Sequence, residues 1–179
     1  MVQLRSIQIR SPEPPGPQAG AGSAPQKSPN RLNLLLSYGG WRDESWANRL
    51  PQLLEPMGIH AWMAESGTEA SYLLRSQPVH LAVVDLALPL DAPAPHNEAA
   101  DATEGGVRLL HLLARLETPP PTIVVRRPRE SRADARLLNQ ALRQGAFAVV
   151  DRPVQLELML DVFRRALSRH YMNRWPDST

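Results

Sequence analysis

The residue best placed to do chemistry is Asp85, which ends the apolar stretch Val79-His80-Leu81-Ala82-Val83-Val84-Asp85-Leu86-Ala87-Leu88-Pro89. A short, Val-rich run bounded by prolines reads as a fully buried parallel strand. In open α/β sheets ligands and chemistry gather at the carboxyl ends of the strands, so a lone acid there is a candidate site. Position alone leaves a second reading open, in which Asp85 merely ends the strand and starts a turn. Other chemistries lack their parts. There is no cysteine, which excludes disulfides, thiol catalysis and zinc–thiolate sites. No Gly-rich phosphate loop, nucleophile elbow or zinc-binding histidine pair occurs, so the chain is not expected to be an enzyme.

Two further groupings have blander readings. The basic run Arg126-Arg127-Pro128-Arg129-Glu130-Ser131-Arg132, with Arg136, could meet nucleic acid or an acidic partner. Glu130 and Asp134 interrupt it and no aromatics interleave, so it reads as a solvated loop and helix start. His96, among Asp91, Glu98, Asp101 and Glu104, could in principle ligate a metal. A tight site needs preorganised ligands, and a Pro-rich mobile linker does not supply them. His60, His80, His111 and His170 share no spacing and read as structural.

The 179 residues suit one domain with a core of useful size, plus a tail. A formal net charge of +2 gives no global pull toward nucleic acid or membrane. No stretch approaches the roughly 20 apolar residues of a membrane span, and residues 1–10 form no apolar signal core. A soluble cytoplasmic chain is the expectation.

The elements that must position Asp85 follow in order. Residues 1–30 read as a flexible leader, rich in Pro, Gly and Ser over most of its length. Folded structure should begin near Arg31 with a strand over 32–36, followed by the loop Ser37-Tyr38-Gly39-Gly40. Asp43 or Ser45 can cap a helix to about Met57 with Trp46, Leu50, Leu53 and Leu54 inward, and with Pro51 as a kink or a delayed start. Gly58 stops it. A second strand spans 59–64, and Ser66 caps a helix through Gln77 presenting Ala70, Leu73 and Leu74. After the Asp85 strand, residues 90–106 read as a long mobile loop. A helix then runs to about Glu117 with Val107, Leu110, Leu113 and Ala114 inward. A fourth strand covers 122–125, and Ser131 caps a helix carrying Ala135, Leu138, Leu142 and their neighbours, closed by Gly145. A fifth strand covers 147–150, and a last helix runs from Val154 to about His170. Five strand–helix units predict a doubly wound α/β domain, a parallel sheet with helices on both faces, over residues 31–170. Residues 171–179 form a short tail.

Three segments in this order resemble the receiver domain of bacterial response regulators, the CheY-like fold. They are Ser66-Gly67-Thr68-Glu69-Ala70, the run from Leu81 through Asp85 to Pro89, and Gly145-Ala146-Phe147-Ala148-Val149-Val150-Asp151-Arg152-Pro153. The resemblance implies a sheet order of 2-1-3-4-5, a role in phosphorelay signalling, and Asp85 as phosphoacceptor for a histidine kinase. In that family phosphorylation biases a two-state domain, which then changes partners.

The same resemblance exposes departures. Phosphoryl transfer onto a carboxylate needs Mg2+, held by an acidic pair at the end of the first strand. The matching positions here are Ser37 and Tyr38. The hydroxyl expected after the fourth strand is Arg126, the Lys-Pro pair is Arg152-Pro153, and the aromatic that moves with the hydroxyl is Val149. The set resembles a degenerate pseudo-receiver: a docking module without the usual phosphorylation. A carboxylate between Arg126 and Arg152 would be held ionised as an internal ion pair. No cofactor is expected, and Mg2+ only if Asp85 is a working phosphoacceptor. The partner implied is a signalling protein, a histidine kinase or an acidic protein surface, met by a face bearing Arg132, Arg136, Arg143, Arg164 and Arg165. The alternatives are a functional phosphoacceptor with a rearranged metal site, and a basic nucleic-acid-binding module.

Overall fold

The computed structural model describes residues 32–39, 45–91, 104–127 and 132–172. The leader 1–30, His96 with most of the 90–106 loop, Ser131 and most of the 171–179 tail lie outside these residues.

Five strands form one parallel sheet: β1 (Leu32–Ser37), β2 (Ile59–Ala64), β3 (Leu81–Asp85), β4 (Thr122–Arg126) and β5 (Ala146–Asp151). Their order across the sheet is β2-β1-β3-β4-β5, the order implied by the receiver resemblance. Between and after them run α1 (Ser45–Leu54), α2 (Gly67–Ser76), α3 (Glu104–Ala114), α4 (Arg132–Arg143) and α5 (Leu156–Tyr171).

The two-residue period of the strands sorts side chains onto two faces. Leu34, Leu36, Val83, Ile123, Val125 and Val150 face one side, with Trp46 and Leu50 of α1 and Met159 and Phe163 of α5. Leu35, Ala82 and Val84 face the other, against Ala70 of α2 and Leu109 and Leu113 of α3. Val124 joins that second side with Leu110 of α3 and Ala141 of α4. All five residues of β3 are buried, so the strand at the centre of the sheet contacts water on neither side.

Local chemistry explains the element ends. Ser66 accepts from the Glu69 amide at 3.2 Å, which caps an orphan N–H at the start of α2, and Glu69 reaches back to accept from the Glu65 amide at 2.9 Å, one residue before the cap. Helix α1 carries Pro51 in its interior but ends at Leu54, not Met57. Pro56 has no N–H to donate, and residues Glu55–Met57 tighten into a 3-10 turn that Gly58 closes at φ 75°. Two inward assignments also shift. Leu53 is 44% exposed and Ala114 is exposed, while Ala47 of α1 and Leu109 of α3 are buried. In both helices the buried stripe includes a residue the apolar pattern did not single out, and on α4 it is Ala141, the neighbour of the exposed Leu142, that is buried.

His80 is structural. Its Nδ1 accepts the Asn33 amide at 2.9 Å, and its carbonyl accepts the Tyr171 hydroxyl at 2.6 Å. The start of β3 is thereby joined to β1 and to the end of α5.

Candidate functional site

Asp85 is fully buried at the carboxyl end of β3. It continues the Val83 side of the sheet and is in register with Val125 of β4. Tyr38 follows Leu36 onto the same side, and Arg152 follows Val150. The guanidinium of Arg152 lies on Asp85: its Nη2 donates to Oδ2, and the Arg152 side chain is only 7% exposed. The backbone completes the shell. Gly39 N–H donates to Oδ2 at 3.1 Å and Ala87 N–H donates to Oδ1 at 2.9 Å. Both carboxylate oxygens are thus engaged from within the chain.

Aromatic packing holds the arginine from its other side. The Arg152 guanidinium carbon sits 4.3 Å from the centroid of the buried Tyr38 ring, a cation–π contact. Trp46 of α1 meets that ring edge-on at 4.9 Å between centroids. The chain Trp46–Tyr38–Arg152–Asp85 therefore runs from α1 across the ends of β1, β3 and β5.

Burial pushes the Asp85 carboxyl up from the ordinary aspartate value. The Ala87 amide, the Arg152 charge, the Gly39 amide and the Arg127 charge all pull it back without reversing the direction. An ion pair imagined from sequence implies a depressed carboxyl. Complete burial outweighs the partners and reverses the sign.

Arg126 departs from expectation. Its Nε donates to Asp151 Oδ1 at 2.6 Å, and the two residues are in register on β4 and β5. The reason is parity: Arg126 follows Val124, and Asp151 follows Val149, onto the α2–α3–α4 side of the sheet. Asp85 is on the other side. The arginine of matching parity is Arg127, the exposed residue just after β4, whose charge contributes at Asp85 through space. That signal was available in the sequence, since Arg127 lies two residues beyond Val125.

Ser37 and Tyr38 likewise part company. Ser37 is fully buried, and its hydroxyl donates to the Val83 carbonyl at 2.6 Å. Tyr38 supports the arginine instead. Neither offers an anionic oxygen beside Asp85. Among the described residues no group of three or more His, Asp or Glu side chains could hold a metal ion. Among the described residues, the donor set at Asp85 does not fit Mg2+, a hard cation that takes carboxylate and water oxygens.

Two glycines let the backbone close over the site. A Cβ on Gly106 would run into the Asp85 carbonyl oxygen and lie 2.8 Å from Leu86 Cα. One on Gly105 would run into the Pro89 carbonyl. Helix α3 thus begins pressed against the end of β3, and only hydrogen fits there.

No protein-family model matches the sequence, and no curated protein matches it. Solved structures do. The chain is similar to a CheY-like receiver domain protein from Methanospirillum hungatei JF-1, at 19% identity over 80% of this chain and 98% of that one, with a TM-score of 0.58. It is similar to a two-component response regulator from Clostridium difficile, at 21% identity over 80% and 100%, TM-score 0.58. It is also similar to the signal receiver domain of an HD domain-containing protein from Pseudomonas fluorescens Pf-5, at 23% identity over 80% and 99%, TM-score 0.60. The chain has the CheY-like fold of response-regulator receiver domains.

Proposed function

We propose that the chain is a receiver-fold protein-interaction module in phosphorelay signal transduction whose acceptor position is filled by its own arginine. The observation that carries this is the Arg152 guanidinium on Asp85 Oδ2, with both partners buried. An incoming phosphoryl group needs a carboxylate oxygen free to attack and a cation to neutralise the crowded oxygens. At Asp85 a fixed guanidinium and two backbone amides already occupy that role. The charge of the carboxylate is compensated internally, so the site holds one state and does not alternate between two. On this reading the module is not an enzyme, and its output is the choice of a protein partner. Among the described residues no helix is long and apolar enough to cross a membrane.

Incubation with acetyl phosphate and Mg2+, followed by intact-mass measurement, tests the reading. The expected result is an unchanged mass. A phosphate adduct that disappears in Asp85→Asn would instead establish Asp85 as a working phosphoacceptor.

A further inference from the structure

The outward faces of α3 and α4 carry basic side chains that the site at Asp85 does not use. On α3 and the turn after it, Arg108, His111 and Arg115 recur at i, i+3 and i+7, one stripe of a helix. On α4, Arg136, Gln140 and Arg143 recur at i, i+4 and i+7. The two stripes meet where Gln140 Nε2 and His111 Nε2 lie 3.0 Å apart. Arg108, Arg115, Arg136 and Arg143 are exposed, and none is ion-paired among the described residues. Glu104, at the N-terminal end of α3, is the only carboxylate among the described side chains of the two helices.

This surface differs from the face expected from sequence. Arg136 and Arg143 share the flank of α4 that touches α3. Arg164 and Arg165 lie on α5, across the sheet, where Arg165 is paired with Asp161.

We propose that the α3–α4 face docks an acidic segment of a protein partner. Charge complementarity selects the partner's sign, since four guanidinium groups without an ion pair among the described residues gather on one face. Within each stripe the arginines are seven residues apart, about 10.5 Å along the axis, which suits carboxylates repeating every two helical turns. Two features favour polypeptide over nucleic acid. No Phe, Tyr or Trp is interleaved on the two helices for base stacking. Among the described residues, a depression of about 420 Å3 beside Arg136 and Arg143 is otherwise lined by the amides Asn139, Gln140 and Gln144. The inference rests on the interaction-module reading but fails separately from it. Charge reversal on α3 and α4 leaves Asp85, and hence the acetyl phosphate result, untouched.

The test is fluorescence anisotropy of labelled poly-L-glutamate titrated with the full chain at low salt, with labelled single-stranded DNA of equal charge as comparator. Arg136→Glu/Arg143→Glu should weaken polyglutamate binding at least ~10-fold, while Arg164→Glu/Arg169→Glu on α5 should change it less than ~2-fold. Arg108→Gln/Arg143→Gln is the milder pair if the first variant loses its circular-dichroism signature. Equal loss in both charge-reversed variants would reduce the effect to net charge and overturn the proposal. Tighter binding of DNA, abolished by the α4 variant, would assign the face to nucleic acid instead. Absence of polyglutamate binding would remove it altogether.

Discussion

Two aspartate–arginine pairs close the same edge of the sheet, one on each side. Asp85 and Arg152 are 0% and 7% exposed, whereas Asp151 and Arg126 are 52% and 16% exposed. The residue types are identical and the surroundings are not. Water already solvates much of the Asp151 pair, so its net contribution is small. The Asp85 pair has lost its water, and each charge depends on the other for compensation. The contrast separates an ion pair that decorates a sheet edge from one to which the core is committed. On the proposed reading, the second kind sits where an exchangeable group would have to enter.

The contrast between the two pairs depends most on Arg152. Arg152→Met should cost about 3–5 kcal/mol in urea unfolding at neutral pH, because it leaves a buried carboxylate uncompensated. The cost depends on pH with a definite sign. The folded Asp85 carboxyl is raised above its unfolded value, so the folded state binds the extra proton. Its contribution is full below the ordinary aspartate value and is lost as pH rises through the folded value. Removing Arg152 deletes a charge that pulled the carboxyl down. The penalty in Arg152→Met should therefore shrink in acid and grow toward neutrality; a pH-independent penalty would point to lost packing on Tyr38 instead. In the same window, Asp85→Asn should gain stability relative to wild type as pH rises.

A middle-sized effect is expected from Gly106→Ala. The added Cβ meets the Asp85 carbonyl, and overpacking of this kind costs about 1–3 kcal/mol, readable as a lower melting temperature. The smallest effect belongs to the exposed pair. Asp151→Asn should change stability by less than about 1 kcal/mol, and by less still in high salt. A larger loss there would erase the distinction between the two sides.

Much of this was legible in the sequence, for identifiable reasons. Val-rich runs ending at Asp85 and Asp151, with helices between, were enough for a parallel sheet because apolar periodicity is a local signal. Ser66 announced α2 because a cap is local too. Parity at the strand ends was harder. Arg126 and Arg127 are adjacent, and deciding which one shares a face with Asp85 needs the register, which is a tertiary fact. Counting by two from Val125 would have found Arg127. The role of Tyr38 was invisible: as a substitute for an acid it reads as a loss, and only the three-dimensional stack under Arg152 shows what it gained. The sign of the Asp85 shift was equally hidden, since complete burial is a property of the assembled core.

The central claim is that the Asp85 carboxylate is committed to Arg152. A double-mutant cycle of Asp85→Asn and Arg152→Met, read by denaturant unfolding at neutral pH, measures that commitment directly. The account predicts that the double variant costs less than the sum of the single ones by at least about 2 kcal/mol. Single costs that add within about 0.5 kcal/mol would show the two side chains to be independent and would contradict it.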